Sequence, residues 1–296
     1  MGGNTVKFTK MHGCGNDYIY VYTATEQVRN EDKPSLAVKL SDRHKGVGSD
    51  GLIFINPTDK ADFEMEMYNS DGSKSAMCGN GIRCVGKYVY DHKLTDKTTV
   101  EILTGAGVKR LELKTEGDKA VGATVNMGEP ILSPAKIPAV IEGHDDKEPI
   151  VSVPVEMNGN KYNITCVSVG NPHCVIFMDE DIRELDISTI GPLIEHSVIF
   201  PERVNVEFIN VHDRNHISMR VWERGAGETL ACGTGACASV TAGVLGGYTD
   251  RNVKVSLLGG ELDIEWNEAD GCIYMTGAAE TVFEGEISTD NFGGNK

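Results

Sequence analysis

A four-residue motif, Cys-Gly-X-Gly, occurs twice in this chain and constrains its fold more than any other feature. The copies are Cys78–Gly81 and Cys232–Gly235, and each precedes a segment with a helical pattern, Ile82–Asp91 and Ala236–Leu245. A thiol at the start of a helix faces unpaired backbone N–H groups and the positive end of the helix dipole, and both favour the reactive thiolate. The repeat therefore indicates two reactive cysteines in matched settings.

Residues upstream of the motif repeat as well. Asn16 and Asn171 precede their cysteines by the same distance in the sequence to within one residue, and so do Asn69 and Glu223. Matching residues at equal spacing in the two halves are typical of an internal duplication, in which each half forms the same structural unit. The proline-rich stretch Pro130–Pro154 is the expected junction between the halves.

Between these motifs the sequence has the pattern of short strands that end at Gly, Asn or Asp. Few other segments have a helical pattern, so one principal helix per half is expected. The predicted fold class is therefore α+β, with mostly antiparallel sheets. The predicted strands are Tyr18–Val21, Gly51–Ile55, Phe63–Tyr68, Thr99–Leu103, Cys166–Val169, Cys174–Met178, Val204–Val211, Ser218–Trp222, Val253–Leu257, Glu261–Trp266 and Cys272–Thr276.

Composition excludes several classes of protein. A chain of 296 residues with 40% hydrophobic residues suits two globular domains of moderate size, and a net charge of −16 argues against a nucleic-acid partner. No apolar run approaches the roughly 18 residues of a membrane helix. The N-terminal segment also lacks the pattern of a secretion signal, so we expect a cytoplasmic protein with reduced cysteines. No Cys-X-X-Cys pair occurs, and no metal site is expected.

The segment Gly46–Gly51 has the spacing of a dinucleotide-binding loop but not its context. A strand-like segment, Leu52–Ile55, follows it, whereas a dinucleotide-binding loop opens a helix. The sequence therefore predicts a tight turn that leads into a strand.

Two polar residues of the second half are candidates for a site. His173 is either a core histidine whose nitrogens are satisfied or a functional group. Arg224 lies in a glycine-rich loop before Cys232, where it could grip a substrate carboxylate, although a surface pair with Glu223 is the alternative.

Taken together, these motifs resemble the diaminopimelate epimerase family, whose members act in lysine and cell-wall precursor synthesis without pyridoxal phosphate. The resemblance runs in order from about Lys7 to Gly285. The segments that carry it are Lys10–Asp17, Tyr68–Ser73, Met77–Cys84, Val125–Pro130, Gly170–Cys174, Phe200–Asn205, Glu223–Thr229, Ala231–Cys237 and Tyr274–Gly277.

The resemblance implies two similar lobes, each a curved, mostly antiparallel sheet around a central helix, with the active site in the cleft between them. The last strand returns to the first lobe in this family. We therefore expect an N-terminal lobe of residues 1–127 and 277–296 that carries Cys78, and a C-terminal lobe of residues 128–276 that carries Cys232. The resemblance also implies diaminopimelate as substrate, no cofactor, and a homodimer with Phe283 near the contact.

Individual roles follow from the same resemblance. When L,L-diaminopimelate is converted to the meso form, Cys78 is the expected proton donor and Cys232 the expected acceptor, while His173 and Glu223 modulate the pKa values of the thiols. Backbone N–H groups at the two helix starts would stabilise the carbanion. The expected substrate-binding residues are Asn16, Asn69, Gly79, Asn80, Asn171, Asn205, Glu223, Arg224, Gly233 and Thr234.

Three positions depart from the family pattern. Gly51 stands where a substrate-binding glutamine is frequent, Cys14 replaces a leucine, and Thr234 replaces a serine. Two alternative functions stay open at this point: a related racemase of histidine or proline, and a redox sensor in which Cys78 and Cys232 form a reversible disulfide.

Overall fold

Strands dominate the structure. The computed structural model describes residues 5–288, which contain eighteen β-strands and four α-helices and confirm the predicted α+β class. The chain divides into two compact units. The first takes in the chain up to Val125 and again from Gly277, and the second comprises Asn126–Thr276.

The first unit begins with eight strands and two helices, and the last strand of the chain returns to it. In chain order the leading elements are β1 (Thr5–Gly13), β2 (Asn16–Tyr22), α1 (Lys33–Ser41), β3 (Gly51–Asn56), β4 (Phe63–Asn69), β5 (Lys74–Ser75), α2 (Gly79–Asp91), β6 (Thr99–Thr104), β7 (Gly107–Glu116) and β8 (Lys119–Gly128).

The second unit holds the other two helices and most of the remaining strands. The elements that follow β8 are β9 (Val153–Met157), β10 (Asn160–Ser168), β11 (Pro172–Phe177), α3 (Ile187–Glu195), β12 (Asn205–Asp213), β13 (His216–Glu223), β14 (Gly227–Glu228), α4 (Gly233–Leu245), β15 (Asn252–Leu257), β16 (Gly260–Trp266), β17 (Ile273–Ala278) and β18 (Glu280–Ser288).

Strand pairing follows one order in both units. In the first unit β1 is antiparallel to β18 and β2, β2 is parallel to β3, β3 is antiparallel to β4, and β4 is parallel to β6. In the second unit β10 is antiparallel to β9 and β11, β11 is parallel to β12, β12 is antiparallel to β13, and β13 is parallel to β15. The repeated topology confirms the internal duplication.

Each unit has one central helix that supplies its core. α2 buries Ile82, Cys84 and Val85 and contacts β1, β2, β6 and β7. α4 buries Cys237 and Val240 and contacts β10 to β13 and β16. All eight cysteines of the chain lie within residues 5–288 and are free thiols, and the buried Cys84 and Cys237 act as small core side chains.

Both central helices begin three residues earlier than the sequence pattern predicted, at Gly79 and Gly233. The glycines of the motif are thus in the first helical turn. A Cβ on Gly81 would stand 2.8 Å from Ile53 Cδ1, and a Cβ on Gly235 would stand 2.7 Å from Glu207 Oε1. These two glycines are therefore needed for internal packing.

Several elements were not predicted: β1, β7, β8, β9, β18 and the short helices α1 and α3. β7 has few buried apolar residues, Leu111 and Leu113, and β9 contains Pro154. The alternating apolar pattern that identifies a strand is therefore weak in both. The turn predicted for Gly46–Gly51 is confirmed, because that segment leads into β3.

Candidate active site

Both motif cysteines occupy the N-cap position of a central helix. Cys78 precedes α2 with φ −131°, and its Sγ accepts a hydrogen bond from the Gly81 N–H at 3.3 Å. Cys232 precedes α4 with φ −121°, and its Sγ accepts from the Gly235 N–H at 3.4 Å. Each sulfur therefore lies against the positive end of a helix dipole, as the motif predicted.

In the first unit, the Cys78 thiol begins a chain of polar side chains. It donates to Asn16 Oδ1 at 3.2 Å, and Asn16 Nδ2 donates to Asp50 Oδ2 at 2.8 Å. Arg43 Nη2 donates to the other Asp50 oxygen at 2.9 Å. Burial and the neighbouring charge of Asp17 raise the pKa of Asp50. Asn16 is thus in contact with Cys78, and it is held there by Asp50, a residue that no sequence motif indicated.

Two other expected ligands of the first unit are bonded within the protein. Asn69 Nδ2 donates to Ser73 Oγ at 3.0 Å. The Asn80 side chain is buried, and its Oδ1 accepts from Arg83 Nη2 at 2.9 Å. In Asn80 the group that suits the expected role is therefore the backbone N–H in the first turn of α2, as in its neighbour Gly79.

Gly51 lies where the backbone leaves no room for a side chain. In the sheet register it is paired with Tyr18 and with Asn69. A Cβ at this position would stand 2.2 Å from the Tyr68 carbonyl oxygen and 2.9 Å from Tyr18 Cε1. This backbone cannot accommodate a glutamine, so no side chain at position 51 contacts a substrate.

In the second unit, Cys232 is buried and lies near negatively charged side chains. The residue is only 5% exposed. Burial, followed by the charges of Glu223 and Glu207, raises the pKa of Cys232 well above that of an ordinary thiol. Hydrogen bonds from the Thr234 hydroxyl and the Gly235 N–H lower the pKa without offsetting that rise. The helix start therefore favours the thiolate of Cys232, but burial and the two carboxylates outweigh it and raise the pKa of the thiol.

His173 is fully buried and held on both sides of its ring. Nδ1 lies 2.6 Å from Glu207 Oε1, and Nε2 lies 3.0 Å from Asn171 Oδ1. Both ring nitrogens of His173 therefore have partners within the protein. Its partner Glu207 is also fully buried and was not predicted, because the contact depends on the pairing of β11 with β12.

Glu223 ends β13 and is fixed by a hydroxyl from the following loop. The Thr229 hydroxyl donates to Glu223 Oε1 at 2.5 Å. Thr234 Oγ1 lies 3.5 Å from Cys232 Sγ. Thr234 thus lies beside the thiol, the charge of Glu223 acts on it, and Thr229 is an additional residue that holds the Glu223 carboxylate in place.

Asn205 connects two parts of the second unit. Its Nδ2 donates to the Pro172 carbonyl at 2.8 Å, and its Oδ1 accepts from the Arg224 N–H at 2.9 Å. The guanidinium of Arg224 is exposed and donates from Nη1 to the Glu202 carbonyl at 3.1 Å. An exposed guanidinium on a fixed backbone is suited to bind a carboxylate from solution.

Residues 5–288 contain neither a cluster suited to a metal ion nor a helix suited to a membrane. No cluster of three or more His, Cys, Asp or Glu side chains is arranged to hold a metal ion in that part of the chain. No helix within the same range has the length and apolar character needed to span a membrane.

Comparison with known proteins decides the family. The diaminopimelate epimerase family model matches residues 8–133 and 165–282. A diaminopimelate epimerase of Methanococcus maripaludis strain C6 is 55% identical over 282 residues, which are 95% of this chain and 99% of the relative. The chain belongs to the diaminopimelate epimerase family. A diaminopimelate epimerase of Acetivibrio thermocellus, 53% identical over 95% of this chain and 98% of its own length, agrees. Membership of this family makes the protein an isomerase and confirms the resemblance drawn from the motifs.

Solved structures of low sequence identity share the fold. A hydroxyproline epimerase from Agrobacterium vitis matches with a TM-score of 0.65 at 13% identity, over 96% of this chain and 91% of that one. A methylitaconate-delta-isomerase matches with a TM-score of 0.66 at 14% identity, over 100% of this chain and 98% of that one. At this identity the likeness concerns the fold alone.

Proposed function

We propose that this member of the diaminopimelate epimerase family interconverts L,L- and meso-diaminopimelate by proton transfer at the α-carbon, with Cys78 and Cys232 as the two proton carriers. The observation that carries the proposal is the matched setting of the two thiols, each at the N-cap of a central helix. The 55% identity to a named diaminopimelate epimerase supports the substrate.

The backbone at the helix starts supports the difficult step of the reaction. Removal of the weakly acidic α-proton leaves a carbanion whose charge spreads onto the substrate carboxylate. N–H groups in a first helical turn, fixed before the reaction, stabilise such a charge without reorganisation. We assign this role to the backbone of Gly79, Asn80, Gly233 and Thr234.

The charge state of Cys232 affects the two directions of the reaction differently. As a neutral thiol it is ready to protonate the carbanion, the step that forms L,L-diaminopimelate from the meso form. In the opposite direction it must first lose its proton, because only the thiolate can act as the base. Since the pKa of Cys232 is raised, the rate from L,L-diaminopimelate should increase with pH until this thiol is ionised.

We assign the distal, non-reacting end of the substrate to Asn69, Asn171, Asn205 and Arg224, with Asn16 as a further contact. The exposed guanidinium of Arg224 supports the assignment, since it can form paired hydrogen bonds with a carboxylate. Proline has no distal amino-acid group for such residues to hold, so the same set disfavours a proline racemase.

Activity with the proposed substrate is the test. The reduced protein, without pyridoxal phosphate, should convert L,L-diaminopimelate to the meso form, as followed by chiral separation, and should leave proline and histidine unchanged. Cys78→Ser and Cys232→Ser should each fold normally and lose at least about a hundredfold in kcat, since each removes an acid or base from the reaction. Near-normal turnover by either variant would exclude the two-thiol mechanism.

We further propose that the two compact units are the lobes of the family, that the protein is cytoplasmic, and that it forms a homodimer through β18. Phe283 of β18 is 45% exposed and packs edge-on against Phe8, with ring centroids 5.9 Å apart. Its neighbour Val282 is 54% exposed. Large apolar side chains exposed side by side suit an interface.

A further inference from the structure

One buried carboxylate beside the site neither transfers a proton in the proposed mechanism nor binds the substrate. Glu207, in the middle of β12, has a side chain that is 0% exposed. Its Oε2 is buried and has no hydrogen-bond partner among residues 5–288. An ionised carboxylate in such a place is costly, so its presence calls for a reason other than packing.

Glu207 lies close to both His173 and the Cys232 thiol. Its Oε1 lies 2.6 Å from His173 Nδ1 across the parallel pair of β11 and β12. The point where a Gly235 Cβ would stand is 2.7 Å from Glu207 Oε1 and 3.2 Å from Cys232 Sγ. The carboxylate and the thiol therefore flank the first turn of α4 with only a glycine between them.

The first unit shows that the fold does not need a carboxylate here. In the repeated topology, Gly81 of α2 corresponds to Gly235, and the side chain against it is Ile53 of β3. A Cβ on Gly81 would stand 2.8 Å from Ile53 Cδ1, much as one on Gly235 would meet Glu207. An apolar side chain fills this place in one unit, so the charged one in the other unit is not explained by packing.

The contacts of His173 show what the carboxylate does. A carboxylate accepts hydrogen bonds, so Nδ1 of His173 carries the proton that points to Glu207. Nε2 then faces Asn171, an expected substrate ligand. Glu207 thus fixes the orientation of the His173 ring through Nδ1, in the way that a buried carboxylate orients a functional histidine.

We propose that Glu207 is a positioning residue of this site, which fixes the Nδ1 proton of His173 and places a carboxylate beside Cys232. The inference rests on the proposed function, because it concerns the thiol assigned as proton acceptor. The charged groups that face Cys232 are Glu223 from the end of β13 and Glu207 from β12. His173 of β11 contacts Glu207.

Glu207→Gln tests the charge while keeping the shape. Removal of the negative charge should let Cys232 ionise at lower pH, so the rise of kcat/KM for L,L-diaminopimelate should move to lower pH. A base with a lower pKa is weaker and the His173 ring is less firmly held, so kcat should fall about tenfold or more. KM should stay near the wild-type value, because Glu207 does not contact the substrate.

Ionisation of the Cys232 thiol can be measured without following the reaction. The ultraviolet absorbance of the thiolate is followed in a pH titration of the wild type and of Glu207→Gln. The titration of the same protein carrying Cys232→Ser is subtracted from each, so that only the signal of Cys232 remains. Glu66→Gln is the control, because it removes a buried carboxylate of the first unit that pairs with Lys33 and should leave both readouts unchanged. Should Glu207→Gln fail to fold, Glu207→Ile takes its place, since isoleucine packs at the corresponding position of the first unit.

A shift of the Cys232 titration to lower pH, together with the fall in kcat, supports the inference. An unchanged titration, or a kcat within twofold of wild type, overturns it. The titration does not depend on the identity of the substrate, so a wild-type protein inactive on diaminopimelate would refute the proposed function while leaving the effect of Glu207 on Cys232 measurable.

Discussion

At the scale of single residues, two cysteines in the same local setting differ because of what surrounds them. A helix N-terminus stabilises a nearby negative charge by about 0.3–1 kcal/mol at the surface and about 2 kcal/mol when partly buried. For Cys232, burial and the two carboxylates Glu223 and Glu207 outweigh that contribution. The motif therefore identifies the reactive atom, whereas residues distant in the sequence decide its charge.

Gly51 gives a prediction at the same scale. Gly51→Ala should lower the free energy of unfolding by about 3 kcal/mol, because the new Cβ would stand 2.2 Å from a backbone oxygen that cannot move aside. Urea denaturation measures the effect. The matched control is Gly86→Ala in α2, whose Cβ would meet only the flexible ends of Leu113 and Leu111, at 2.8 and 3.0 Å.

Gly86→Ala should change the free energy of unfolding by less than about 1 kcal/mol, since the better helix propensity of alanine offsets the crowding. If both variants unfold at the same urea concentration, the close approach of the backbone at Gly51 is not what excludes a side chain there.

At the scale of elements, a buried ion pair attaches α1 to β4. Glu66 of β4 accepts from Lys33 of α1 at 2.6 Å, from Lys74 at 2.8 Å and from the Tyr68 hydroxyl at 2.9 Å. Burial alone would raise the pKa of Glu66, but these hydrogen bonds outweigh it and lower the pKa from 4.5 to about 2. Burial, followed by the hydrogen bond to Glu66, raises the pKa of Tyr68 to about 12.

Acid should therefore weaken the attachment of α1. Because the pKa of Glu66 is lower in the folded protein, its stabilisation is complete above about pH 4.5 and is lost as the pH falls towards 2. Glu66→Gln should remove about 2 kcal/mol at neutral pH, less than a full conversion of the shift because Lys74 is exposed. Denaturation of both proteins across this pH range should show the difference shrinking in acid; a constant difference would contradict the role of the charge.

The elements also show which parts of the fold a sequence can predict. The central helices and the strands that carry the site have strong apolar patterns, and all of them were found. β7 and β9 were missed because their apolar patterns are weak, and β18 because its residues are mostly exposed. Their places depend on pairing with distant strands, which local pattern does not encode.

At the scale of the whole molecule, the two units share one topology but differ at the positions that carry chemistry. His173 and Asn205 occupy the paired positions of β11 and β12, where the first unit has Tyr18 and Gly51 on β2 and β3. The motifs predicted the thiols and most of their neighbours. Glu207 and Asp50 could not be found in that way, because their roles come from contacts between strands and turns far apart in the sequence.

The proposed homodimer gives a prediction for the whole molecule. Phe283→Asp places a charge on the exposed face of β18, so it should convert the dimer to a monomer in sedimentation experiments while the fold is kept. Val198→Asp is the matched control, because Val198 is 94% exposed and lies in the second unit. A wild-type monomer, or a Phe283→Asp dimer, would show that β18 does not form the interface.

The central claim is that two different thiols exchange the α-proton, and the fate of that proton tests it most directly. L,L-diaminopimelate is converted in deuterated water, and the reaction is stopped while little product has formed. If Cys232 removes the proton and Cys78 delivers another, nearly all of the meso product carries one solvent deuterium at the inverted centre, and the remaining substrate carries almost none. Product that retains the original proton would show that one base serves both faces, and the account would be wrong.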